Sequence, residues 1–293
     1  MRRTFTDVAT RIINNNDNSA LLLGDIGVYG FNQVLTDFPK RAFNMGILEQ
    51  SMVSVGAGLS SEGITPIIHT IAPFIVERAL EQIKIDFGYQ KLPGNFVSVG
   101  ASFDYAKLGC THHCPGDVNI LSNIPGMNIF LPGHKSEFET QLINHWDSGH
   151  LNYFRISEYT NQESIEIKFG EVRKIKNGSK GMIIVVGPFL SEALNGLSDL
   201  DIEIQYLNSI RAKDDMKVIS EFPGNKVVIY EPYYSGAVLL KLNNQMSSNH
   251  CKVMQLGVEK RFLAEYGSYK EHLFNLELDA HSLKKRVEAF INL

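Results

Sequence analysis

Apolar and polar positions follow two different rhythms along this chain. Residues 4–14 place Phe5, Val8, Ala9, Ile12 and Ile13 on one side, the spacing of an amphipathic helix. Residues 20–23 are instead a short unbroken apolar run, the mark of a strand buried on both faces. Further strands are predicted at 41–44, 64–70, 96–100, 127–132 and 151–156. Helical spacing returns at 72–87, where Phe74, Ile75, Ala79, Ile83 and Phe87 line one face and Arg78, Glu81 and Lys84 point out. Shorter helices are predicted at 117–123 and 135–147, and 32–37 reads as a short helix or loop. A polar stretch at 158–171 then interrupts the pattern. Beyond it come strands at 181–187, 202–207, 226–231 and 251–257, and helices at 189–197, 214–221, 236–246 and 279–290. Strands that alternate with helices predict an α/β fold whose mostly parallel sheets are covered by helices on both faces. The expected organisation is two domains, 1–160 and 176–293, joined by a linker at 161–175.

Within this frame the stretch 43–59 stands out as a loop running into a helix. Leu48, Met52, Val55 and Leu59 form its apolar face, and the Ala and Gly residues at 56–58 permit close packing. Glu49 lies in the first turn. Its carboxylate either complements the helix dipole or sits partly buried, aimed at a group with which it shares a proton.

Composition adds limits. The chain has 293 residues, which suits about two domains. Apolar residues make up 44 % and charged residues 20 %, enough to bury real cores. The net charge of −4 leaves no footprint for nucleic acid or an anionic membrane. Three cysteines argue against a disulfide framework. No apolar signal core follows Arg2 and Arg3, and no run approaches the ~18 residues of a membrane span. The expectation is a soluble, cytoplasmic protein.

The candidate chemistry is sparse. Gly24-Asp25-Ile26-Gly27 ends a buried strand, so Asp25 is either a turn residue or a carboxylate at the ligand-binding end of a parallel sheet. The segment lacks the Lys-Ser/Thr of a P-loop and the third glycine of a dinucleotide fingerprint. Cys110, His112, His113 and Cys114 invite a metal reading, but structural zinc sites pair two separated ligand clusters and no second cluster exists. No metal site is expected. A loop histidine at the end of a parallel sheet suits substrate hydrogen bonding or proton transfer better.

Gly46-Ile47-Leu48-Glu49-Gln50, Pro66-Ile67-Ile68-His69-Thr70 followed by Phe74 and Arg78-Ala79-Leu80-Glu81-Gln82-Ile83, and Gly109-Cys110-Thr111-His112-His113 occur in an order and spacing similar to the pyrimidine-binding part of transketolase-type thiamine diphosphate enzymes. Ile124-Pro125-Gly126-Met127, Leu131-Pro132-Gly133, Glu231-Pro232-Tyr233-Tyr234-Ser235-Gly236 and the segment from Gly257 to Phe262 extend the resemblance over nearly the whole chain. It implies a pyrimidine-binding domain followed by a transketolase carboxyl-terminal domain. It implies thiamine diphosphate as cofactor, with contacts at Glu49, Phe74, Ile47 and Asp25. Glu49 would bond N1′ of the aminopyrimidine, in an apolar setting, and Phe74 would pack on that ring. Substrate contacts are implied at His112, His113, Arg155 and His69, with Glu49 and His112 catalytic.

The Gly-Asp-Gly…Asn-Asn pattern that holds magnesium and diphosphate in such enzymes is absent from the chain. The resemblance therefore implies a split enzyme. An amino-terminal transketolase-like partner would hold most of the Mg²⁺ and diphosphate site in an α2β2 heterotetramer. The implied reaction moves a two-carbon ketol unit from a ketose to an aldehyde or ketone sugar. Acyl transfer or 2-oxoacid decarboxylation, and a non-catalytic structural role, remain alternatives. Ile71 and Glu77 stand where transketolases stack further aromatics on the ring. Gly100, Leu108 and Glu158 stand where they read phosphorylated sugars, which predicts a non-phosphorylated or nucleotide-linked acceptor, room at Gly100, and Arg155 as the residue able to rebuild a phosphate site.

Overall fold

The computed structural model describes residues 1–212 and 222–293. The helix expected at 214–221 lies outside the described residues. Two sheets organise the rest. The first takes β1 (Ser19–Leu23), β2 (Ala42–Asn44), β3 (Thr65–Ile71), β4 (Gly94–Val99), β5 (Met127–Phe130) and β6 (Leu151–Arg155) in the order β5-β6-β4-β3-β1-β2, all parallel. The second takes β7 (Arg173–Lys176), β8 (Met182–Val186), β9 (Glu203–Leu207), β11 (Lys226–Tyr234) and β12 (Lys252–Val258) in the order β12-β11-β8-β9-β7. The α/β class and the mostly parallel sheets follow from the helices between strands, which carry each crossover back to the same edge.

Two strands depart from the sequence reading. β10 (Ser209–Ile210) leaves the second sheet's neighbourhood and adds antiparallel to β5 at the edge of the first sheet. β7 pairs antiparallel with β9 and overlaps the end of the expected linker. Its Arg-Lys-Ile-Lys sequence carries no strand alternation, because a lysine-rich edge strand faces solvent and needs none.

Helix α1 (Arg2–Asn15) buries Phe5, Val8, Ala9, Ile12 and Ile13, as its spacing requires. Each such large side chain taken from water contributes about 1.5–3 kcal/mol. The short helix α2 (Asn32–Asp37) leads toward β2. Helix α3 (Glu49–Ser61) is the instructive case. Its buried face is Met52, Val53, Gly56, Ala57 and Ser60, whereas Leu48 and Val55 are exposed. The small residues win that face because β3 comes too close for larger ones: a Cβ on Gly56 would lie 2.6 Å from Ile68 Cδ1.

The helix expected at 72–87 is a run that is π-helical over Phe74–Arg78 and Ile83–Tyr89, with one α turn, α4 (Leu80–Gln82), between them. The remaining helices are α5 (Asp117–Leu121), α6 (Lys135–His145), α7 (Leu190–Gly196), α8 (Ala237–Ser248), α9 (Tyr269–Asn275) and α10 (Ala280–Ile291). Helix α9 has no counterpart in the sequence reading. Among the described residues no helix is long and apolar enough to cross a membrane.

Buried polar groups tie the two sheets together. Glu137 Oε2 accepts from Gly133 N (3.0 Å), Tyr206 Oη (2.8 Å) and Asn208 Nδ2 (3.0 Å), and Oε1 accepts from Ile165 N (3.0 Å). The loop after β4 is held the same way. Asp117 Oδ2 accepts from Tyr153 Oη (2.8 Å) and Arg155 Nε (2.7 Å), and Arg155 Nη2 also donates to Ser102 Oγ. Ser102 Oγ donates to the carbonyl of Pro232 in β11. Each of these groups would cost about 1–3 kcal/mol if left unpaired.

Candidate active site

Glu49 opens α3 and is only 1 % exposed. The loop that delivers it is fixed by Asn44 at the end of β2. Asn44 Oδ1 accepts from Asp25 N (3.1 Å) and Gly46 N (3.2 Å), and its Nδ2 donates to Asp25 Oδ1 (3.1 Å). Gly46 sits at φ 71°, a left-handed turn that glycine adopts without penalty.

Phe74 and Arg78 are four apart on one π-helical turn, a spacing that puts both on the same side of the run, as it would on an α-helix. The Arg78 guanidinium accordingly lies 4.4 Å from the Phe74 ring centroid. From there Arg78 Nη1 donates to Glu49 Oε2 at 2.6 Å. The carboxylate is therefore not set among apolar groups alone, as expected from the sequence, but shares its charge with a half-exposed arginine. The other oxygen, Oε1, is buried with no hydrogen-bond partner.

On the far side of Phe74 stands His112, its ring 5.5 Å away in an edge-to-face arrangement. Tyr105 flanks His112 at 6.3 Å. His112 closes the 3₁₀ turn Cys110–His112, and its Nδ1 is 3.0 Å from Thr111 Oγ1. Phe74 and His112 thus lie together and are joined to Glu49 through Arg78, a residue that the apolar face read from the sequence leaves pointing out. The signal for Arg78 is nonetheless in the sequence: four residues separate it from Phe74 on one helical run.

The other predicted site residues lie apart from this group. Arg155 is 3 % exposed and committed to Asp117 and Ser102, so its charge is spent inside the fold and it cannot rebuild a phosphate site. His69 is buried, with Nδ1 2.8 Å from the carbonyl of Val97 and its ring 4.5 Å from Phe5. Burial lowers its pKa to about 4, against a smaller opposing effect of the Val97 carbonyl, so it is a neutral core residue rather than a substrate contact.

His113 is 5 % exposed and turns away from His112, toward α9. Ile47 is 67 % exposed on the rim ahead of α3, and no contact ties it to Phe74 or His112. Asp25 braces the Asn44 loop and does not touch the Glu49 cluster. Nor is there room at Gly100, since a Cβ there would lie 2.4 Å from Tyr105 Cε2: the tyrosine ring fills the space. Among the described residues no group of three or more His, Cys, Asp or Glu is placed to hold a metal ion.

A buried carboxylate with one oxygen neutralised and the other bare is suited to a planar ligand that presents a ring nitrogen edge-on. An aromatic ring beside it offers a stacking surface. These are the features the pyrimidine end of thiamine diphosphate needs, and the orphaned Oε1 is the observation that makes the fit.

Residues 4–158 match the model of the transketolase pyrimidine-binding domain. A 33.6 kDa protein of the fasciation locus of Rhodococcoides fascians is 30 % identical over 295 residues, covering 99 % of this chain and 95 % of that protein. The 1-deoxy-D-xylulose-5-phosphate synthase of Thermotoga maritima is 29 % identical over 269 residues, 87 % of this chain but 43 % of the synthase, so this chain spans less than half that relative's length. One subunit of the apulose-4-phosphate transketolase of Phocaeicola vulgatus is 23 % identical over 303 residues, covering 99 % of this chain and 97 % of that polypeptide. Among solved structures, a split-gene transketolase described as an inactive β4 tetramer superposes with a TM-score of 0.81 at 21 % identity, over 100 % of this chain and 98 % of that one. With the family model matched over more than half its residues and a full-length relative at 30 % identity, this chain belongs to the transketolase-type family and carries its pyrimidine-binding domain.

Proposed function

We propose that this chain is the pyrimidine-binding half of a split transketolase-like enzyme that transfers a two-carbon ketol unit to a sugar acceptor. The observation that carries the reading is Glu49 Oε1, buried and without a partner beside the Phe74 ring. When bound, thiamine diphosphate would supply the carbon nucleophile and the electron sink. In this proposal Glu49 Oε1 would share a proton with ring N1′, accepting from it when N1′ carries the proton, while Arg78 Nη1 donates to Oε2 and fixes the carboxyl in place. Phe74 packs on the pyrimidine face and shields the carboxylate from water. His112, on the same wall, donates to or relays a proton from substrate oxygens. Catalysis rather than a purely structural role is supported by the retention of Glu49 and His112 in one cluster. The alternative thiamine-dependent reactions would use the same groups.

The split arrangement is supported by two matches of different extent. The chain aligns with a single transketolase subunit over nearly its full length, but with less than half of a synthase. We place the diphosphate and Mg²⁺ mainly on an amino-terminal partner, in an α2β2 assembly. Ile47, Leu48, Val55, Ile85 and Tyr89 are exposed on and beside α3, an apolar edge that suits a contact with that partner. A cytoplasmic setting accords with three free cysteines. Leu108 offers no hydrogen bond and Glu158 is an exposed carboxylate, which supports an acceptor without a terminal phosphate at the position where related enzymes read one.

The test is calorimetric titration of thiamine diphosphate with Mg²⁺ into this chain alone, into the partner alone and into their mixture. Binding in the mixture that exceeds both single-chain results by at least about tenfold, or about 1.4 kcal/mol, supports a shared site. Equal binding by the partner alone overturns it.

A further inference from the structure

The loop that carries His112 is gripped from the other half of the molecule at two points. Just ahead of the Cys110–His112 turn, Gly109 lies against one edge of Tyr266, whose ring is otherwise 73 % exposed: a Cβ on Gly109 would come within 2.7 Å of Tyr266 Cε1. At its end, the His113 ring stands 5.4 Å from His272 on α9, the two planes at 85°. Earlier in the same loop, Phe103 packs on Tyr269 (4.5 Å) and on His272 (5.3 Å). The segment from Tyr266 to His272 thus lies along the whole stretch that leads from β4 to His112.

The two imidazoles are unusual for buried polar groups. His113 is 5 % exposed and His272 is 2 % exposed, yet neither ring nitrogen of His113 and not Nε2 of His272 has a well-formed hydrogen bond. Buried orphan nitrogens cost about 1–3 kcal/mol each, so they persist only where surrounding packing holds them. Two neutral imidazoles are complementary, since each carries one N–H donor and one lone pair. A small shift of either ring would let one donate to the other. Such a joint holds only while both rings are uncharged. Burial keeps both pKa values down, against a smaller raising effect of the Tyr105 backbone on His113 and of Glu265 and Glu271 on His272.

Consecutive side chains at 112 and 113 point to opposite sides. His112 faces Phe74 and Tyr105, and His113 faces α9. Anchoring the second aims the first. We infer that Tyr266, His272 and His113 form a clamp by which the carboxyl-terminal unit positions His112 over Phe74, making these three positioning residues of the site. The inference rests on the role proposed for His112, but the geometry of the clamp does not need it.

The test uses the full chain with ¹³C-labelled histidine. The ring Cε1–H signal of His112, assigned with His112→Asn, is recorded in wild type, H272F, Y266A, H113F and the H113F/H272F double variant. The expected result is a displaced or broadened His112 signal in each single variant, with the double variant no further displaced than either histidine variant alone. H272Q, which keeps a donor and an acceptor, should return the signal toward wild type, and it serves if H272F does not fold. An unmoved His112 signal in H272F and Y266A overturns the clamp whatever the turnover. With the partner present, the clamp variants should lose about 10–100-fold in kcat, the scale of a misplaced reacting group, with thiamine diphosphate affinity unchanged. A displaced signal with unchanged kcat keeps the clamp and overturns the role of His112 instead.

Discussion

Each half of the molecule buries a glutamate whose carboxylate lies at the start of a helix, and the two are used differently. Glu231, inside β11, is fully buried and accepts from the start of α8: Gly236 N at 2.8 Å and Val238 N at 3.1 Å. Its carboxylate answers the unpaired N–H groups that every helix start presents. Glu49 is equally buried and lies inside the first turn of its own helix, so it caps nothing. One oxygen goes to Arg78 and the other to no protein atom. A carboxylate whose lone pairs are spent on backbone is structure. One kept dry and half unspent, beside an aromatic ring, is available for chemistry.

If that contrast holds, removing each carboxylate should produce opposite losses. Glu49→Gln is expected to cut turnover of the reconstituted enzyme by about 10²–10⁴-fold, the usual scale for lost acid–base help, while the denaturation midpoint shifts little. A large loss of stability with retained turnover would place Glu49 with Glu231. The next effect in size belongs to Glu231→Ala, which strands two buried N–H groups. It should lower unfolding free energy by about 2–4 kcal/mol in urea titrations. A loss under about 0.5 kcal/mol would mean that α8 does not depend on this cap.

Titration sharpens the contrast further. Burial raises the Glu231 pKa from an ordinary 4.5 to about 7, against the lowering effect of its two backbone hydrogen bonds. The folded state then binds more protons than the unfolded one between those values. Stability from this group is present below about pH 4.5 and is lost as pH rises through 7. Asp104, raised by burial to about 7, acts in the same direction. His69 and His113, lowered by burial from 6.5 to about 4, act oppositely: stability is present above pH 6.5 and is lost as pH falls toward 4. Wild type should therefore show a shallow profile. Glu231→Gln keeps an acceptor but cannot titrate, so its stability relative to wild type should climb as pH rises from 4.5 to 7. A flat difference would show that Glu231 does not carry the shift.

The smallest expected effect is a negligible one. Chelation should not change the melting temperature of the chain without its partner, since no cluster of three or more ligating side chains occurs among the described residues. A drop on adding chelator, abolished by changing Cys110 and Cys114, would reverse that.

Much of the fold was legible because burial follows periodicity. Helix α1 and strands β1, β3, β8 and β9 lie where their apolar spacing put them. What spacing could not show was proximity. The buried side of α3 keeps Met52 from the expected apolar face but is completed by Val53, Gly56, Ala57 and Ser60 in place of Leu48 and Val55, with the closeness of Ile68 requiring glycine at 56. β10 is two residues long, and its partner β5 lies some eighty residues earlier. In the site, Glu49, Phe74 and His112 could be singled out as residue types in a motif. Arg78 reads as a solvated charge from its residue type, although its spacing of four from Phe74 already puts both on one side of the helix, where the guanidinium lies over the ring. Arg155 and His69 are singled out by the resemblance alone, and Asp117 and the Val97 carbonyl account for their charge and hydrogen bonding.

The central claim is that the bare oxygen of Glu49 is the acceptor for the pyrimidine nitrogen. It is tested most directly by ¹⁵N spectroscopy of thiamine diphosphate labelled at N1′, bound to the reconstituted enzyme. The account predicts that the N1′ resonance moves from its free-cofactor position toward that of a protonated ring nitrogen in wild type, and stays near the free position in Glu49→Gln. The same displacement in both proteins would show that another group holds N1′, and would return Glu49 to the company of Glu231.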